Sequence, residues 1–146
     1  MSSPLKERLQ DDLILARKAR DKARIMVLSM TLSEVRNREI ETGHDASDED
    51  LLQVLGRAIK QRRDAARQMG DAGRPELAER EAAEAEMLGH YLPEPLSEAE
   101  VRSLIEEITA DGQTAIGAVM GQLMPRIRGR FDGKEANRIA REVLAP

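Results

Sequence analysis

The chain has 146 residues with 34% charged and 40% hydrophobic side chains, a formal net charge of −4, no cysteine and two aromatic rings, Tyr91 and Phe131. That balance excludes a disordered chain, and the missing thiols exclude disulfides, thiolate metal centres and cysteine nucleophiles. A core made of Leu, Ile, Val, Met and Ala suits helix-on-helix packing better than a sheet.

In chain order, Ser3 and Pro4 open a first helix whose apolar positions are Leu5, Leu9 and Leu13, and which runs to about Ala19. Asp21 caps a second, with Ile25, Leu28, Leu32 and Val35 on one face and Gly43 as the stop. Ser47 and Asp50 form a capping box for a third helix carrying Leu51, Leu55, Ile59 and Met69, which ends near Gly70 and Gly73. Pro75 opens a fourth, with Leu77, Ala85 and Leu88 on one face, closed by Tyr91 and Leu92. Pro93 and Pro95 break the chain into a linker. Ser97 with Glu100 predicts a second capping box and a fifth helix carrying Val101, Leu104, Ile105 and Ile108. Thr114 is expected to cap a sixth helix, which Pro125 follows. Gly117 and Gly121 are expected to serve close helix packing within it. A basic loop over Arg126–Arg130 leads to Asp132, the cap of a seventh helix with Ile139, Val143 and Leu144. The expectation is an all-α protein: a four-helix lobe over 1–92 and a three-helix lobe over 97–146.

No segment has the roughly 18–20 apolar residues of a membrane span. The first twenty residues lack an apolar stretch and carry Glu7, Asp11 and Asp12, unlike a secretory or transit peptide, so a cytoplasmic location is expected. His44 and His90 lie far apart and make no metal-ligand spacing. They read as a turn residue and a helix C-terminal residue. The acids Glu76, Glu79, Glu81, Glu84 and Glu86 read as a solvated face or as partners for arginines of the third helix. No nucleophile elbow, P-loop or dinucleotide fingerprint is present, so neither a catalytic site nor a cofactor is expected.

Charge is unevenly placed. Residues 93–112 hold one base against six acids, whereas 113–146 hold six bases against three acids. Arg126, Arg128 and Arg130, with Lys134 and Arg138, surround the start of the seventh helix, where free backbone N–H groups favour phosphate. Phe131 either stacks on a base or plugs the core. The arginines either bind nucleic acid or pair with the acidic fifth helix. A second basic run, Lys60, Arg62, Arg63 and Arg67, is spread around the third helix, so part of it must face the acids of the fourth. It is a structural pairing or a secondary binding surface.

The opening Leu5-Lys6-Glu7-Arg8-Leu9, the run Lys60-Gln61-Arg62-Arg63-Asp64, the segment Tyr91-Leu92-Pro93 and the tail from Met120-Gly121 through Arg130 and Asp132-Gly133-Lys134 together resemble the YqeY-like family over essentially the whole chain. From about residue 97 the chain is also similar to the tail domain of GatB, the aminoacyl-tRNA amidotransferase component that holds misacylated tRNA. Gly129, Asp132, Gly133 and Lys134 stand in the matching pattern, and Phe131 stands where a small residue is expected. The resemblance implies an accessory module that grips tRNA, or an amidotransferase–tRNA complex, through its tail. It also implies that the label of glutamine-dependent carbon–nitrogen ligase carried by such proteins follows the shared tail, since the catalytic body is not in this chain. The alternative is a protein-interaction module, with Met120 and Met124 in an adaptable groove.

Overall fold

The computed structural model describes residues 3–145 and contains α-helices and no strand among them. The helices are α1 (Pro4–Ala19), α2 (Lys22–Thr42), α3 (Asp48–Asp71), α4 (Pro75–Gly89), α5 (Glu98–Ala110), α6 (Ile116–Ile127) and α7 (Gly133–Leu144). The chain divides into two compact units, Met1–Leu92 and Pro93–Pro146. No helix among the described residues is long and apolar enough to cross a membrane.

In the first unit, local chemistry fixes the helix ends. The Ser3 hydroxyl accepts the Lys6 N–H, Asp21 accepts from Arg24, and Ser47 and Asp50 cap each other reciprocally. The turn between α1 and α2 needs a left-handed residue, and Arg20 adopts it at φ 56°. Its N–H is shared between the carbonyls of Ala16 and Arg17, which offsets part of the strain. Gly43, at φ 77°, ends α2. The buried core runs through Leu9, Leu28, Val35, Leu51, Leu55 and Leu88, with α3 and α4 forming the most extensive pairing. Tyr91 closes one end: its hydroxyl donates to the Asp12 carboxylate and the Arg8 guanidinium lies 4.7 Å from its ring centre. His90 caps the C-terminus of α4, and its carbonyl accepts from Arg8.

In the second unit, α5, α6 and α7 each pack on the other two. Val101, Ile105, Val119, Leu123, Ile127 and Ile139 are fully buried between them. The unit departs from four of the expectations above. Ala115, not Thr114, is the cap position of α6, and no side chain caps it. Pro125 lies inside α6 rather than after it. In the last turn its missing N–H removes one bond, to a residue, Gly121, that faces solvent where water can replace it. Gly117 and Gly121 serve no close packing: a methyl group at either would meet nothing within 4 Å, because the buried face of α6 is Val119, Leu123 and Ile127 on the opposite side. The capping box of α5 is half formed, since the Ser97 hydroxyl accepts the Glu100 N–H while the Glu100 carboxylate returns to the Ser97 hydroxyl at 3.2 Å rather than to the backbone.

The glycine that does mediate packing is Gly133, the first residue of α7. A side-chain carbon there would sit 3.3 Å from the Met124 methyl, so its absence lets α7 start directly against α6. Met124 and Met120 are accordingly half-buried against this core.

Candidate nucleic-acid interface

The predicted basic loop is shorter than its sequence suggests. Arg126 and Ile127 complete the last turn of α6, Arg128 is its cap residue, and only Gly129–Phe131 forms the connection. Gly129 turns the chain at φ 75°, and the N–H groups of Arg130 and Phe131 both bond to the Ile127 carbonyl. The Arg130 carbonyl accepts the Leu96 N–H at 2.8 Å, and the Arg130 Nε donates to the Glu94 carbonyl at 3.0 Å. Residues 93–96, read from their prolines as a linker, are thus bonded to the tail unit, and Leu96 packs on its core.

These bonds fix the backbone from which the arginines project. Arg126 and Arg130 share the wall of one open depression of about 550 Å³, completed by Leu96, Glu100, Ser103 and Leu104. Arg126 pairs with Glu107 of α5 at 3.3 Å, but both side chains are more than half exposed, and an exposed pair of this kind contributes at most about 1 kcal/mol. Arg128 is half-exposed at the end of α6 and Lys134 is exposed on the first turn of α7. The N-terminus of α7 is not open to an external anion in the way its sequence suggests. Asp132 already places its carboxylate there, accepting the Glu135 N–H at 3.2 Å, so an approaching phosphate must be held by the side chains. Phe131 is half-buried against the tail core.

Arg138 belongs to another face. It bonds to Glu135 and Glu142 and lies 3.6 Å from Glu98, while Arg102 bonds to Glu142 at 2.7 Å. Two guanidiniums meet three carboxylates, so this cluster has no spare positive charge. Its hydrogen bonds hold Glu142 below the ordinary carboxylate range, through Arg102 first, and raise both arginines, Arg102 through Glu142 and Arg138 through Glu135. Glu98 and Arg102 lie on the opposite side of α5 from Glu100, Ser103 and Leu104, at 100° per residue. The structure therefore separates Arg138 from Arg126 and Arg130.

The second basic run also divides. Arg62 turns inward: its Nε lies 3.4 Å from the Glu84 carboxylate of α4, both side chains are about one-tenth exposed, and Nη1 donates to the Ala58 carbonyl at 3.2 Å. Lys60, Arg63 and Arg67 fall within one 60° arc of α3 and are all exposed, Arg67 bonding to Asp64. Of the α4 acids, only Glu84 meets an arginine of α3 among the described residues, and Glu76, Glu79 and Glu86 face solvent. The inward turn of Arg62 has a signal in the sequence, because it continues the buried stripe Leu55, Ala58 and Ile59 at helical spacing.

Among the described residues no group of three or more His, Cys, Asp or Glu side chains is placed to hold a metal. His44 is exposed, with Nδ1 2.9 Å from the Asp45 carbonyl.

Comparison with known proteins places these features in a family. The chain is 34% identical over 122 residues to the altered inheritance of mitochondria protein 41 of Clavispora lusitaniae, covering 79% of this chain and 71% of that one. A protein of the same name from Pyrenophora tritici-repentis is 27% identical over 143 residues, 94% of this chain and 79% of that one. A glutamyl-tRNA(Gln) amidotransferase component from Methanospirillum hungatei is 34% identical over 123 residues, which is 79% of this chain but 19% of that much longer protein. The model of the Yqey-like protein family matches residues 6–144, and the chain belongs to the YqeY-like family.

Proposed function

We propose that this protein is a non-catalytic accessory module that binds tRNA, alone or within an amidotransferase-type complex, through the basic end of its tail unit. The observation that carries the reading is the convergence of Arg126 and Arg130 on one open depression, with Arg128 and Lys134 on the adjoining turns. The segment shared with an amidotransferase component named for glutamyl-tRNA supports it. In a chain of net charge −4, attraction to RNA must come from such a local excess. Guanidinium and ammonium groups on a polyanion position it without reading its sequence. The exposed stripe of Lys60, Arg63 and Arg67 offers a secondary contact of the same kind.

The test is tRNA binding by fluorescence anisotropy at several salt concentrations. The comparison is a variant carrying Arg126→Glu, Arg128→Glu, Arg130→Glu and Lys134→Glu, with helicity checked by circular dichroism. Four phosphate contacts predict a log–log salt slope of about −3 that the variant loses. Absence of binding at low salt, where screening is weakest, would overturn the proposal.

A further inference from the structure

A second groove, in the other unit, is independent of the tail. It runs between α1 and α2 with a volume of about 770 Å³; Lys6, Leu13 and Arg17 of α1 and Leu32, Arg36 and Ile40 of α2 stand on it, and the loop after α2 adds Asp45 at the Ile40 end. On α1 these positions recur at the spacing of one helix face. The groove is apolar along its floor, where Leu13 is buried and Leu32 half-buried, and at one rim, where Ile40 is 72% exposed.

Its charges are unevenly used. Glu39 is saturated: it accepts the Lys6 ammonium on both oxygens, at 2.8 and 3.1 Å, and the Ala46 N–H at 2.9 Å. Arg36 adds only a weaker attraction to Glu39 through space. The guanidiniums of Arg17 and Arg36 make no hydrogen bond or close ion pair among the described residues. Both stand on the groove, beside Gln10, Ser29 and Ser33. The two-residue turn Arg20–Asp21 makes α1 and α2 antiparallel, and the Lys6–Glu39 pair sets their register. That register puts Arg17 level with Leu28, so Arg17 and Arg36 are about 12 Å apart along the groove.

From this we infer that the α1–α2 groove docks an acidic amphipathic helix of a partner protein, with carboxylates on Arg17 and Arg36, apolar side chains between them on Leu13 and Leu32, and a further apolar side chain on Ile40, one turn beyond Arg36. Two carboxylates seven or eight residues apart on a helix span about 10–12 Å, which matches the arginine spacing. A nucleic-acid backbone matches the charge but leaves the apolar floor and Ile40 uncovered. An uncharged helix leaves the two guanidiniums without acceptors. A chain of net charge −4 repels acidic peptides at large, so binding of one reports a local site rather than bulk attraction.

The test uses the full chain and a fluorescein-labelled 18-residue synthetic helix, with glutamates seven or eight residues apart flanking leucines on the same face and one further leucine a turn beyond the glutamate that meets Arg36. A scrambled peptide of the same composition and a ten-nucleotide oligouridylate serve as comparisons. Saturable binding of the patterned peptide is expected, weaker for the scrambled one. It should weaken about tenfold in Arg17→Gln/Arg36→Gln, since two solvent-accessible pairs together contribute about that factor. Ile40→Ser should weaken it as well, and Arg74→Gln/Arg80→Gln, which removes the same charge from the α4 region, should not. Circular dichroism of each variant separates a lost site from a lost fold. Equal binding of both peptides, no saturable binding, or unchanged affinity in Arg17→Gln/Arg36→Gln would overturn the inference. So would RNA binding that the same double variant abolishes while peptide binding persists.

Discussion

Replacing Glu84 by alanine tests how the first unit is held together and whether Arg62 belongs to a binding surface. The Arg62–Glu84 separation of 3.4 Å corresponds to a gross attraction of about 5 kcal/mol at an effective dielectric of 20. Desolvation offsets much of it, so the intact pair contributes little net stability. Breaking it is a different matter. Arg62 Nε is buried and has no hydrogen bond, so loss of Glu84 strands a guanidinium between α3 and α4. Breaking fully buried pairs costs about 3–5 kcal/mol; with both side chains about one-tenth exposed, a loss of about 3 kcal/mol is expected. A unit of about 90 residues has roughly 5–14 kcal/mol of stability in total. The midpoint of thermal unfolding, followed by helical circular dichroism, should fall by about 15 °C. The double change Arg62→Met/Glu84→Leu, which fills the same space without charge, should recover most of that loss. A drop below about 1 kcal/mol for Glu84→Ala, or a double variant as unstable as the single, would refute the reasoning and place Arg62 among the solvent-facing basic residues.

Two further predictions concern pH. Burial, reinforced by the hydrogen bond to Asp12, pushes the Tyr91 hydroxyl up to about 12. Ultraviolet titration of this sole tyrosine should therefore show a midpoint well above the ordinary value near 10. The stability it contributes is intact below pH 10 and is lost as pH rises from there toward 12. Tyr91→Phe should cost about 1–2 kcal/mol in urea unfolding, because it leaves Asp12 without that donor. Glu39 is held below the ordinary carboxylate range by the Lys6 ammonium first and the Ala46 N–H second. Its contribution is thus present above the unfolded value near 4.5 and disappears as pH falls through the lower folded value. Unfolding midpoints measured from pH 7 downward should fall less steeply in Glu39→Gln than in the unaltered chain.

Helix number, order and most boundaries follow from local rules that need no neighbour. Ser3, Asp21, Ser47 and Asp132 cap where their side chains predict, and Gly43 stops α2 through a backbone conformation other residues avoid. The apolar positions that mark each helix also become its buried face. An all-α chain with a break near Pro93, and a basic end to its tail, can therefore be read from residue order alone. Which charges are spent inside the molecule cannot. Arg62 and Arg63 are neighbours in one basic run; helical periodicity turns the first toward the core, but only the packing of α3 against α4 sets Glu84 as its partner. Arg130 and Arg138 both read as phosphate ligands, but Arg138 is paired with Glu135 and Glu142 of its own helix, and the packing of α5 against α7 adds the Glu98 carboxylate at 3.6 Å. The groove containing Arg17 and Arg36 is invisible in either helix alone, because its walls come from two separate segments of the chain. Caps and periodicity are local energies and can be read in order along the chain. Charge availability depends on which distant groups come within a few ångströms, and that is a property of the packed helices.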